Sequence, residues 1–267
     1  MAKGSRGGKR VTASTGGGGG GGNMGGPAPQ VTPPTPQQIA QGNTLPTGGV
    51  SYDSFKKMTN DEKAQVITDA LKVATPIFLD DSDLQKFAYY TGMNDKPNVV
   101  PDKQLDSMSG VDIYRTVNDT YNPNTDIGYT ARDIAKQIME GDFTMYSDSG
   151  GSAYGKAIYF ADGYRESSWY GVNGRNPVTM RAKITNGKTI TTSSLSRQYN
   201  RALRNGDALA VACSRADYQS KEALYALAKG YDAIIDNGYS GYNMILNRGC
   251  LTMSDKVKKT KIGGSSW

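Results

Sequence analysis

The stretch Gly155–Gly171, GKAIYFADGYRESSWYG, decides how the rest of the chain is read. It opens on a glycine, runs through an apolar and aromatic block, and then sets polar residues between aromatics. Residues 157–160 have the composition of a short strand, and Gly163 to Tyr170 the look of a helix entered through a turn. Taken alone, Tyr159 and Phe160 read as core, Ser167 as an exposed helix residue and Tyr170 as a ring lying along the surface.

Working outward, Val111 to Val117 (VDIYRTV) alternates like a strand. Phe143 to Tyr146, Val178 to Ile184, Tyr231 to Ile235, Tyr242 to Leu246 and Cys250 to Met253 read as further strands, with the Asn-Gly turn of DNGYSG between Ile235 and Tyr242. Two capping boxes, Thr59 with Glu62 and Ser82 with Gln85, open helices running to about Val73 and Tyr90. Other helices are expected from Tyr129 to Glu140, from Ser194 to Asn205 and from Ser220 to Lys229. Strands dominate the second half with helices between them irregularly, which predicts an α+β fold.

Residues 1–50 hold 15 of the 33 glycines, 6 of the 11 prolines and no aromatic or acid. Such a composition cannot bury enough apolar surface to offset the entropy of ordering, so a disordered basic arm is expected there. The expected organisation continues with a small helical segment at 51–108, a domain at 109–253 and a basic flexible tail at 254–267. The arm carries Lys3, Arg6, Lys9 and Arg10, and the tail four lysines against Asp255. Together these account for more than the whole net charge of +6. Basic ends would touch nucleic acid or an acidic surface through sequence-independent attraction, or simply solubilise the chain.

The chain has no histidine, which excludes Ser-His-Asp and Cys-His catalysis and histidine zinc motifs. Its two cysteines, Cys213 and Cys250, form no metal-type spacing and read as small buried hydrophobes. No metal is expected. No apolar run reaches the roughly 18 to 20 residues a bilayer demands, and the N-terminus has no signal-peptide segment. The expectation is a protein of the cytoplasm or of a viral particle, without membrane contact.

Three pieces, Tyr114-Arg115, the opening stretch and the hairpin YDAIIDNGYSGYNMILN, together resemble the ADP-ribosyltransferase family. The opening stretch is closest to its diphtheria-toxin and poly(ADP-ribose) polymerase branch, which carries a GKGIYFAD block followed by Ser and, three residues on, Tyr. Gly155 and Lys156 open that block here, and Ser167 and Tyr170 follow at the family spacing. The resemblance spans about Val111 to Met253. It implies split mixed or antiparallel sheets with flanking helices and a small N-terminal helical layer. It also implies NAD as substrate, cleaved at the nicotinamide–ribose bond. Tyr159 and Tyr170 would flank nicotinamide, Ser167 and the backbone near Arg115-Thr116 would bind its carboxamide, and Arg115, beside Tyr114, would grip the diphosphate or ribose with its fork of donors. The family places a glutamate at the start of the last strand. This chain has Tyr242-Asn243 there, and Asp236 before the turn is the nearest acid. A phenol or amide can hydrogen-bond a ribose but brings no negative charge. The macromolecular acceptor implied is a host protein.

The competing expectation is a transferase-like fold that binds or assembles without turnover. The Gly-rich arm and the YNMILNRG hairpin end resemble proteins encoded beside phage head genes, and virion components would then be the partners. A sensor that binds NAD or ADP-ribose is a third reading.

Overall fold

Capping chemistry sets where the first helices begin. In the computed structural model, which describes residues 45–74, 82–122, 127–140, 158–218, 220–236, 241–264 and 267, α1 (Tyr52–Lys57) starts where Ser51 accepts from the Ser54 amide. Helix α2 (Asn60–Ala70) starts on the expected reciprocal box, Thr59 N–H donating to Glu62 Oε2 at 2.7 Å and Glu62 N–H to Thr59 Oγ1 at 3.3 Å. The second expected box is half made. Ser82 accepts from the Gln85 amide at the start of α3 (Asp83–Thr91), but the Gln85 side chain is fully buried and returns no bond. The first-turn amides of α3 are tied over long range instead, Asp83 N–H to Asp217 Oδ2 and Leu84 N–H to Ser220 Oγ. Gly92, with φ of 60°, closes α3 in the left-handed conformation that glycine adopts without strain.

The later elements are β1 (Asn98–Val100), α4 (Asp102–Ser107), β2 (Asp112–Val117), β3 (Thr120–Asn122), β4 (Ile127–Tyr129), α5 (Ala131–Glu140) and β5 (Ile158–Ala161). After these come α6 (Tyr164–Ser168) with a 3₁₀ turn at Trp169–Gly171, β6 (Val178–Ile184), β7 (Thr189–Thr191), α7 (Thr192–Arg204), α8 (Ala208–Cys213) and α9 (Lys221–Ala228). The chain finishes with β8 (Ala233–Ile235), β9 (Tyr242–Ile245), β10 (Leu251–Ser254) and β11 (Lys258–Lys259). The expected strand at 143–146 lies outside the described residues. The fold is α+β, as the element pattern predicts.

The sheet order is β1-β10-β6-β2-β5-β9-β8-β7, with β11 also on β6, and β3–β4 form a separate two-stranded ribbon. Parallel pairing occurs at the ends, β1 with β10 and β7 with β8, and the strands between are antiparallel. The resemblance implied split sheets. Among the described residues one continuous sheet forms, but its middle is a seam: β2 and β5 share the single register pair Tyr114↔Ala161, whereas β2 and β6 pair along all six residues of β2.

Strand alternation then gives the sheet two faces. On the back face Ile113, Val117, Met180, Ala182, Phe160 and Ile245 form one core with Ile134, Ala135 and Ile138 of α5. On the front face Ile190, Ile234 and Met244 form a second core with α1–α3 and α7–α9. The helices between 51 and 91 thus share one core with the later helices, and all described residues fall in one compact unit. The segment after Ser254, expected as a flexible tail, is held on the fold. Lys258 and Lys259 pair with Thr179 and Val178, Thr260 is buried, and Trp267 packs on Tyr114 and Tyr164. The physical reason is that β6 is longer than β10 and leaves an edge that β11 completes.

Candidate functional site

The seam positions the predicted site. Beyond Tyr114↔Ala161 the two strands diverge, and a strand carbonyl that loses its ladder donor needs another. Arg115 supplies it: Nη1 donates to the Tyr159 carbonyl oxygen at 2.9 Å. Arg115 thus braces the opening between β2 and β5. It pairs with Met180 in register, so its side chain leaves β2 toward the back face, whereas its neighbours Tyr114 and Thr116 leave toward the front.

On the front face, Thr116 is the centre of a buried hydroxyl chain. Its Oγ1 lies 3.0 Å from Ser167 Oγ and 2.8 Å from Thr179 Oγ1, which in turn lies 2.8 Å from Thr260 Oγ1. Ser167, on α6, is only 1% exposed, so its hydroxyl belongs to this network rather than to open solvent. Three residues on, Tyr170 sits in the 3₁₀ turn and is 54% exposed. Asn118 Nδ2 holds the turn by donating to the Tyr170 carbonyl at 2.8 Å. The turn packs so closely that a Cβ on Gly171 would meet Pro177 at 2.9 Å, and one on Gly174 would collide with the Asn118 side chain.

The ring of Tyr170 meets that of Tyr242 edge to face, centroids 5.6 Å apart and planes at 82°. This is a preferred aromatic geometry. Tyr242 opens β9 opposite Ala161. Burial pushes its phenol up, and its bond to the Tyr170 side chain and the nearby charges of Tyr170 and Glu166 push in the same direction. Tyr242 therefore stays protonated near neutral pH and acts as a neutral donor.

The neighbouring Asn243 faces the other way. It pairs with Phe160, is 2% exposed, and donates from Nδ2 to Asp162 Oδ1 at 2.5 Å, while its own Oδ1 is buried without a hydrogen-bond partner among the described residues. Tyr242 and Asn243, read as alternatives for one ribose contact, therefore stand on opposite faces. Asp236 accepts from the Gly241 amide at 2.9 Å and closes the β8–β9 connection.

The structure thus joins Thr116 to Ser167, and Tyr170 to Tyr242, on the front face, the first pair through β2 and the second through β9 across the seam. Arg115 and Tyr159 meet through a backbone carbonyl, with the Tyr159 ring packed on the front helical core. Tyr114 packs on Tyr164 and Trp267 at 5.8 and 5.9 Å. Gly155 and Lys156, which open the block that carries the resemblance and would on that resemblance border the cofactor, lie outside the described residues. Sequence reasoning missed Asn118, which holds the Tyr170 turn, and Glu166, whose charge bears on Tyr242. Glu166 could have been flagged by its place beside Ser167 in the opening stretch; Asn118 left no signal beyond a polar residue after a strand.

Comparison of the chain with protein-family models, curated proteins and solved structures gave no match. Among the described residues no three His, Cys, Asp or Glu side chains converge in a way that could hold a metal ion, and no helix is long and apolar enough to cross a membrane. Cys213 and Cys250 are both free and buried, and burial pushes the Cys250 thiol up to about 12.

Proposed function

We propose that this chain is an ADP-ribosyltransferase of divergent sequence that takes NAD as substrate, cleaves its nicotinamide–ribose bond and transfers ADP-ribose to a macromolecular acceptor. The observation that carries the reading is the edge-to-face pair of Tyr170 and Tyr242, from the turn after α6 and from β9, beside a seam braced by Arg115. These are the residues, from the three pieces, that the family resemblance singles out. The ADP-ribosyltransferase-like arrangement of the sheet belongs to the same proposal, supported by the way β2, β5 and β9 lie side by side.

In this reading the exposed half of Tyr170 offers a face to the flat nicotinamide ring, and Tyr242 Oη donates toward the ribose. Ser167, whose hydroxyl is buried against Thr116, fixes α6 under the turn that carries Tyr170 rather than meeting the carboxamide itself. The C1′–N bond breaks with its electron pair going to the nicotinamide nitrogen, which neutralises the pyridinium, and the ribose gains oxocarbenium character. An acceptor nucleophile then bonds C1′ and gives up its proton. Glu166 is the carboxylate whose field reaches Tyr242, and in this reading that field would favour the developing positive charge.

The test is nicotinamide release from NAD by the full chain. Release is expected from the wild type, with a drop of at least tenfold in Tyr170→Ala at unchanged melting temperature. No release, or unchanged release in Tyr170→Ala, overturns the proposal. One observation favours a second reading, a binding protein without turnover: β9 carries a neutral phenol where the family has a carboxylate, and a missing preorganised contact commonly costs about 2.7–4 kcal/mol of transition-state stabilisation. NAD that raises the melting temperature of the wild type but not of Tyr170→Ala, with no nicotinamide released, selects that reading.

A further inference from the structure

Far from the seam, α7 presents a second surface with its own chemistry. Its buried stripe is Leu195 and Tyr199. Arg197, Arg201 and Arg204 recur at positions i, i+4 and i+7, so they form one exposed stripe about 10 Å long at 1.5 Å rise per residue. The helix contains no acid. Between this stripe and the end of α9 lies an open cleft of about 590 Å³ lined by Arg197, Gln198, Arg201, Asn205, Asp207 and Lys229, among others.

Cations outnumber the acid in the cleft, Arg197, Arg201 and Lys229 against Asp207. Among the described residues no carboxylate lies within ion-pair distance of Arg197, Arg201, Arg204 or Lys229. Asp207, the acid in the cleft, accepts from the Ala210 amide at 3.0 Å and caps α8. Lys229 adds its charge close to Lys63, whose ammonium is pushed down by burial and by Lys229. Like charges gathered without partners cost free energy in the isolated protein, and an anionic ligand would recover it.

We propose that this cleft and the arginine stripe bind the phosphate backbone of nucleic acid. Arginine's planar fork matches phosphate oxygens in a two-pronged contact, and Gln198 and Asn205 add neutral donors beside it. A protein partner would need an apolar centre for its anchor residues, and the cleft lining offers little beyond Ala202 and the Tyr225 ring. The first fifty residues, with four basic side chains and no acid, add the same sign of charge to the chain. The proposal does not depend on the NAD reading.

The experiment measures binding of the full chain to a fluorescein-labelled 20-nucleotide single strand and to its duplex, by anisotropy across a salt series. The wild type is compared with Arg197→Glu/Arg201→Glu and with Arg197→Lys/Arg201→Lys. Binding to at least one probe is expected, at least tenfold weaker in the glutamate variant and largely kept in the lysine variant. On single strands the slope of log K against log salt should fall by about 1.4 in the glutamate variant, because two phosphates are no longer neutralised. The arm is common to all variants, so the difference reports the cleft. Both arginines are exposed, and an unchanged melting temperature shows that the fold is kept. Binding to neither probe, or affinity and slope unchanged in the glutamate variant, overturns the proposal. Equal binding of poly-glutamate, lost in the same variant, overturns it in favour of an acidic protein surface, and displacement of the strand by millimolar inorganic phosphate at constant ionic strength overturns it in favour of a small phosphate ligand.

Discussion

The two faces of the sheet are made by the same strands, yet they solve burial differently. Apart from Arg115 and Asn243, the back face is apolar from β10 across to β8 and packs against α5. The front face changes character at the seam. On the β9–β8–β7 side it is Met244, Ile234 and Ile190 under a helical layer. On the β2–β6 side it is Thr116, Thr179, Arg181 and Lys183, all buried. Burying such groups is tolerable only with partners, and the structure provides them. Hydroxyls bond hydroxyls, Lys183 Nζ donates to the Met108 carbonyl at 2.6 Å, and Arg181 meets Asp106 at 2.6 Å and Asp102 at 3.0 Å. The difference teaches that the seam is more than a gap in hydrogen bonding. It is where dispersion and area burial give way to directed polar contacts, and the candidate NAD site stands on that border.

The contrast can be broken most severely from the back. Phe160 is fully buried, and Phe160→Ala should lower unfolding free energy by about 3–5 kcal/mol, read by urea denaturation, with little dependence on salt. A smaller loss is expected from Arg181→Met on the front. Removing one partner of a buried ion pair costs about 3–5 kcal/mol, but the Asp106 side chain remains 59% exposed, so a loss of about 2 kcal/mol is expected. Unlike the loss at Phe160, it should shrink in high salt.

The smallest effect sharpens the comparison by pH. Burial pushes the Asp102 carboxyl up, but the Ser254 hydroxyl, Arg181 and Lys258 outweigh it and hold the group below its ordinary value of 3.8. A carboxyl depressed in the folded state adds stability above its unfolded pKa, and that stability is lost as pH falls through the folded pKa. The melting temperature should therefore drop as pH is lowered below about 4, and the drop should be shallower in Asp102→Asn. An unchanged profile in that variant would show that Asp102 plays no part in the drop.

Long elements with local signals were legible in the sequence. Thr59 and Glu62 marked α2, and VTMRAKI matches β6 residue for residue. The short strands β1, β7 and β11 were not, because they exist through partners far along the chain and carry no periodicity of their own. The tail lysines read as solvated charge, and nothing local announced that Thr260 would enter a hydroxyl chain. At the site, the spacing of Ser167 and Tyr170 placed both beside the seam. Strand alternation alone would have separated Tyr242 from Asn243, and Arg115 from Tyr114 and Thr116, since adjacent strand residues cannot share a face. The Asn118 bond to the Tyr170 turn depends on a loop crossing that no local pattern encodes.

The pairing of β1 with β10 has a consequence for biosynthesis. Asn98 meets Thr252, and β10 lies between β1 and β6. A nascent chain that has emerged only as far as β9 holds β1 without any partner and β6 with one bare edge. Contacts between such distant segments form late because loop closure precedes their reward, and bare strand edges recruit other chains while they wait. Until the four-residue strand LTMS is inserted β1 has no partner, and β11 completes β6 only after it in the chain, so the stretch of translation before these strands emerge is when aggregation competes most strongly with the native sheet.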